Sequence, residues 1–138
     1  MDVYCHPFTS GGQEIPIQEA KLSGLVTLVT NYSCGEDCCG EGTGGLPLSW
    51  TEYREPGTQF IKASTNPENI AFQLRKVFNM SDKKRSEMGK LARGFAIKNY
   101  SIESVCTKLE SIIDNMPEVD WDFDFSNAKK SPLRPIPH

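Results

Sequence analysis

Residues that could do chemistry gather in two stretches of the chain. The first is Thr9-Ser10-Gly11-Gly12-Gln13-Glu14-Ile15-Pro16-Ile17-Gln18-Glu19-Ala20. Adjacent glycines give a turn with freedom in φ, and Pro16 suits the first turn of a helix, where its missing N–H costs nothing. Glu19 then falls about one turn inside that helix. Such a loop presents backbone N–H groups at the positive end of a helix dipole, which suits anions and the oxygen atoms of polar ligands. The second stretch is Cys34-x3-Cys38-Cys39, with Cys5 and His6 at the end of an early apolar run. Zinc sites favour cysteine pairs two to four residues apart together with a second pair. That second pair is missing here, and Cys5 or His6 would have to supply it. Five cysteines without a secretion signal read as reduced thiols in a reducing compartment. Cys34, Cys38 and Cys39 are the ligands if a metal binds.

The elements that must position these residues follow from pattern. Asp2 to His6 reads as a buried parallel strand. Ile15 to about Ser23 reads as a helix, with Gly24 where a C-terminal glycine belongs. Leu25 to Val29 reads as a second strand, completing a right-handed parallel strand–helix–strand unit. Ser33 to Pro47 is rich in glycine and without periodicity, so it reads as a loop. Leu48 to Tyr53 is a short strand or an extended segment. Thr58 to Lys62 is expected as the third strand, after the turn signal Pro56-Gly57.

Three helices are expected next. Asn66 with Pro67 starts the first, whose Ile70, Leu74, Val77 and Phe78 share a face. Ser81 starts the second, with Met88, Leu91, Ala92 and Phe95 facing inward. Ser101 starts the third, with Ile102, Val105, Cys106, Leu109, Ile112 and Ile113 as a stripe. All three stripes read as core packing, with Cys106 a small buried hydrophobe. Beyond Met116 periodicity stops. Trp121, Phe123 and Phe125 alternate with aspartates, which fits a short strand or a docked arm.

With 138 residues the chain is long enough for one domain with a real core. A net charge of −3, with no basic stripe carrying interleaved aromatics, argues against nucleic acid as a partner. No run is long enough to span a membrane. The first residues lack the basic and apolar regions of a signal peptide, so a cytoplasmic location is the default.

The order of elements resembles the C-terminal part of retaining, nucleotide-sugar-dependent glycosyltransferases of the "group 1" family, which are built from two Rossmann-like domains. Family members carry a Glu-Gly-Phe-Gly-Leu-Pro-Leu-Leu-Glu-Ala-like segment, and Gly11 to Ala20 is similar to it. The resemblance continues through Ser23-Gly24 before an apolar strand, Asn66-Pro67-Glu68 and the Lys90-to-Ser101 junction. It implies a partial Rossmann-like α/β sheet of about three parallel strands flanked by helices, followed by C-terminal helices. Residues 1–115 would be the C-terminal portion of a donor-binding domain and 116–138 a tail.

The resemblance implies a nucleotide-diphosphate sugar as donor substrate and no further cofactor. It places Glu19 on the ribose hydroxyls, and Gly11, Gly12, Gln13 and Glu14 along the donor sugar and diphosphate. Gly11 stands where the family has its first acid, and Glu14, three residues on, is the candidate substitute. No basic residue matches the family's Arg/Lys pair on the departing diphosphate, so no catalytic residue is assigned. The chain alone is expected to be inactive in sugar transfer, with the missing N-terminal glycosyltransferase domain as partner. Self-association through an exposed sheet edge is also expected. The competing readings are a non-catalytic nucleotide- or protein-binding module and a small zinc-stabilised interaction domain built on the cysteine loop.

Overall fold

A computed structural model describes residues 2–117. The chain is α/β. Its sheet has three parallel strands in the order β1 (Val3–His6), β2 (Val26–Thr30) and β3 (Gly45–Leu48), with Val3 opposite Val26 and Leu28 opposite Leu46. Every residue of the central strand β2 is buried, as expected of a strand covered on both faces. Helix α1 (Ile15–Leu22) connects β1 to β2. Gly24 closes it at φ +76°, its N–H donating to the Lys21 carbonyl at 2.9 Å while Leu25 N–H reaches Ala20 at 3.1 Å.

The third parallel strand is not the one expected. The glycine-rich stretch read as a loop contains a 3-10 helix (Ser33–Cys38) and then β3 itself. Pro47 is compatible with β3 because the strand lies at the sheet edge. The segment expected as the third strand lies slightly later, in β5 (Ile61–Thr65), and pairs antiparallel with β4 (Trp50–Arg54) in a separate hairpin. The hairpin is pinned near the outer ends of the parallel strands. Ala63 N–H donates to Thr9 at 2.7 Å, Trp50 Nε1 to Asn31 at 2.6 Å, and the Tyr32 hydroxyl to Ile61 at 2.9 Å.

Helices α2 (Pro67–Phe78), α3 (Asp82–Tyr100) and α4 (Ile102–Asp114) begin as their caps predict. The Asn66, Ser81 and Ser101 side chains each accept a hydrogen bond from the first-turn backbone. Their inner faces differ from expectation. On α2, Val77 and Gln73 are buried and Ile70 packs on the core, whereas Phe78 is 82% exposed. On α3 the buried positions are Gly89, Ala92 and Ala96, and Leu91 faces solvent. On α4 no residue is buried: Ile102, Val105, Leu109, Ile112 and Ile113 are all exposed, as is Cys106. The α4 stripe is amphipathic, yet it packs no core among the described residues.

Small residues on α3 let it lie across the backbone that enters β2 and β3. A Cβ on Gly89 would stand 2.1 Å from the Gly24 carbonyl oxygen, and one on Gly44 would stand 2.3 Å from that of Met88. Arg93 donates to the Leu22 carbonyl at the end of α1, and Arg85 reaches the Met80 carbonyl after α2 at 2.6 Å. The N-terminal ends of the strands are thereby covered. The core has two parts: Val26, Leu28, Leu48 and Val77 on one face, and Ile17, Val29 and Cys38 on the other. No helix among the described residues is long and apolar enough to cross a membrane. The aromatic alternation at Trp121, Phe123 and Phe125 lies outside the described residues.

Candidate functional site

With α3 across one end of the sheet, the loops after β1 and β2 gather at the other. In open α/β sheets that carboxyl end is where ligands bind. The loop from Pro7 to Glu14 leaves β1 there and runs into α1. Gly12 and Gln13 are exposed, while Gly11 and Glu14 are half-buried. The loop is held by the Ser33 hydroxyl, which donates to the Gly11 carbonyl at 2.8 Å, and by the Thr30 hydroxyl, which donates to Phe8 at 2.9 Å. Ser33 adopts φ +52°, a left-handed conformation uncommon for a serine.

Glu14 is the N-cap residue of α1, but its side chain does not cap the helix. It turns back over Gly11 instead. A Cβ on Gly11 would meet Glu14 Oε1 at 2.0 Å, so the glycine's missing side chain is the space the carboxylate fills. The other oxygen, Oε2, lies 2.9 Å from His6 Nε2, and His6 Nδ1 lies 3.1 Å from the Tyr4 hydroxyl. The His6 ring sits between the rings of Tyr4 and Phe8, with centroids 5.7 and 5.6 Å away. The sequence marks Tyr4 and His6 as neighbours, since alternate residues of a strand share a face. Nothing in the spacing joins either of them to Glu14.

Glu19 is exposed on α1, and no side-chain partner holds its carboxylate among the described residues. The loop positions Gly11, Gly12, Gln13 and Glu14 form one contiguous stretch at the start of the same helix.

The cysteines do not converge. Cys38 is buried with its Sγ 3.9 Å from the Tyr100 hydroxyl, whereas Cys39 donates to Asn31 Oδ1 at 3.3 Å. Cys34 stands beside the Glu14 backbone amide, and burial together with the Glu14 carboxylate outweighs that hydrogen bond and pushes its thiol up. Burial raises Cys38 as well, and pushes Cys39 up to about 11 with help from Cys38. All five cysteines are free. Among the described residues no group of three or more His, Cys, Asp or Glu side chains could hold a metal ion. The zinc-centred arrangement of Cys34, Cys38 and Cys39 with Cys5 or His6 therefore does not form.

Lys21 was invisible to sequence reasoning, which reads a lysine in an amphipathic helix as surface. Its side chain is fully buried, with Nζ donating to the Thr43 carbonyl at 2.7 Å and lying 5.4 Å from the centre of the Phe95 ring. Burial lowers its ammonium to about 8, opposed by the nearby Cys38 and Cys39. Phe95, expected in the core, lies beside this ammonium.

No protein-family model, curated protein or solved structure matches the chain.

Proposed function

We propose that the chain is the donor-binding part of a glycosyltransferase, taking a nucleotide-diphosphate sugar and contributing to transfer of its sugar to an acceptor. The observation that carries this reading is the exposed Glu19 carboxylate on α1, held by no side chain among the described residues, just past a glycine loop at the open end of the parallel sheet. A carboxylate there can accept two hydrogen bonds from the vicinal hydroxyls of a ribose. The loop from Gly11 to Glu14 lies at the N-terminus of the same helix, where backbone N–H groups favour phosphate oxygens.

Saturating UDP or GDP should raise the unfolding temperature of the full chain. At about 100 times the dissociation constant the added stability is roughly 2.7 kcal/mol, well within reach of a thermal-shift measurement. Glu19→Ala should remove most of the shift. An unchanged shift in that variant would sink the ribose assignment.

Two surfaces support a role inside a larger assembly. The outer edge of β1 pairs with no strand among the described residues, and the apolar stripe of α4 is exposed. Unpaired parallel edges and broad apolar faces favour covering by further polypeptide. Both the N-terminal part of such an enzyme and a second copy of the chain fit that need. In sedimentation the chain alone should self-associate. Leu109→Glu with Ile113→Glu should shift it toward monomer while changing stability by no more than about 0.5 kcal/mol, since both positions are exposed. A wild-type chain that sediments as a clean monomer would count against association.

A further inference from the structure

The Tyr4–His6–Glu14 chain is the most highly organised polar group in the loop, and Glu19 binding a ribose leaves it without a task. Its protons can be placed. A carboxylate has none to give, so the proton shared between Glu14 Oε2 and His6 Nε2 is carried by the ring. In the neutral ring Nδ1 is then the acceptor, and the Tyr4 hydroxyl is its donor. Both ring nitrogens are engaged, so His6 has none left for a ligand. The second oxygen of Glu14 lies over Gly11, in a space that any side chain at that position would fill.

We propose that Glu14 is the acid offered to the hydroxyls of the transferred sugar, and that His6, backed by Tyr4, is the positioning residue that holds it there. This rests on the nucleotide-sugar reading above and adds to it the residue that contacts the sugar. Gly11 then marks the place of an acid supplied from three residues further along, rather than the loss of one. The chemistry separates the two halves of the ligand. Sugar hydroxyls donate to a carboxylate, whereas the oxygens of a diphosphate only accept. Glu14 therefore favours the nucleotide sugar over the bare nucleoside diphosphate, while Glu19 serves both.

The test is calorimetric titration of the full chain with UDP, UDP-glucose, GDP and GDP-mannose, read as the ratio of sugar-nucleotide affinity to that of the matching diphosphate. A hydrogen bond to a charged group is worth about 1.5 kcal/mol or more. Glu14→Gln should thus lower the ratio about tenfold for the accepted pair. His6→Phe should lower it similarly, and His6→Gln, which keeps an N–H donor, should recover most of the loss. Gly11→Ala should act like His6→Phe by evicting the carboxylate. Glu19→Ala should weaken both ligands alike and leave the ratio in place. A ratio indifferent to Glu14→Gln, in a chain whose diphosphate binding depends on Glu19, overturns this proposal alone. A ratio that falls with Glu14→Gln but not with His6→Phe overturns the positioning role. Failure of the wild-type chain to bind any of the four overturns the nucleotide-sugar reading and this proposal with it.

Discussion

Gly44→Ala should cost about 3 kcal/mol or more of folding stability and lower the unfolding temperature by roughly 10 °C. Two effects add. Gly44 has φ +66°, a left-handed conformation that costs an L-residue about 1–2 kcal/mol. The new Cβ would also stand 2.3 Å from the Met88 carbonyl oxygen, 2.4 Å from the Ala92 nitrogen and 2.7 Å from its Cα. All three are helix backbone, so no side-chain rotation relieves the clash, and α3 must lift from the strand. Gly42 supplies the control. Its φ is +78°, close to that of Gly44, but nothing lies within 4 Å of its Cβ position. Gly42→Ala should therefore cost only the conformational part, about 1–2 kcal/mol. Equal losses for the two variants in urea unfolding would refute the close-packing account.

The second large effect concerns Lys21. Its ammonium is held at about 8, against an ordinary value of 10.5, because the side chain is fully buried. The unfolded chain binds this proton more tightly than the folded one. Stability should accordingly rise with pH through the window from about 8 to 10.5, and below pH 8 the cost of burying the charge is present in full. Neighbouring acids work the other way. Burial pushes Cys39 up to about 11 and Tyr100 up to about 12, so folding holds their protons and their contribution falls as pH climbs past 9 and 10. The wild-type curve alone therefore mixes opposed slopes. The difference between Lys21→Met and wild type isolates the lysine. It should favour methionine more at pH 7 than at pH 10, by about 2–3 kcal/mol. A difference independent of pH would mean that the ammonium carries no burial cost in the folded chain.

Much of the frame was legible in the sequence because local rules and tertiary packing agree there. β1, α1 and β2 follow from apolar runs and the closing glycine, and α2, α3 and α4 start where Asn66, Ser81 and Ser101 cap them. β3 was hidden because Gly45 and Pro47 are poor strand formers, tolerated at an edge where only one side pairs. The α4 stripe was legible as an amphipathic face, but periodicity says which side is apolar and not what covers it. Leu91 misled for a related reason. The contact surface of α3 is set by how closely backbones approach, so it selects Gly89, Ala92 and Ala96 over larger side chains.

The candidate site divides in the same way. The glycine loop announces itself through local chemistry, whereas Glu19 is marked only by the family resemblance, since an exposed glutamate near a helix start carries no signature of its own. The His6–Glu14 contact spans eight residues and a loop whose path no pattern encodes. The cysteine loop shows the converse, since its spacing suggested ligands that the fold sends to separate partners.

The Gly24–Gly89 contact also bears on how many ways α3 can be seated. Here two backbones touch with no side chain between them. One turn along α3 in either direction stand Arg85 and Arg93, the residues that reach the carbonyls at the ends of α2 and α1. A one-turn slip of the helix would drive a guanidinium into Gly24 and strip both of those carbonyls of their donor. The helix therefore has a single registration against the sheet, set by a missing side chain at its centre and checked by a charged one on each side.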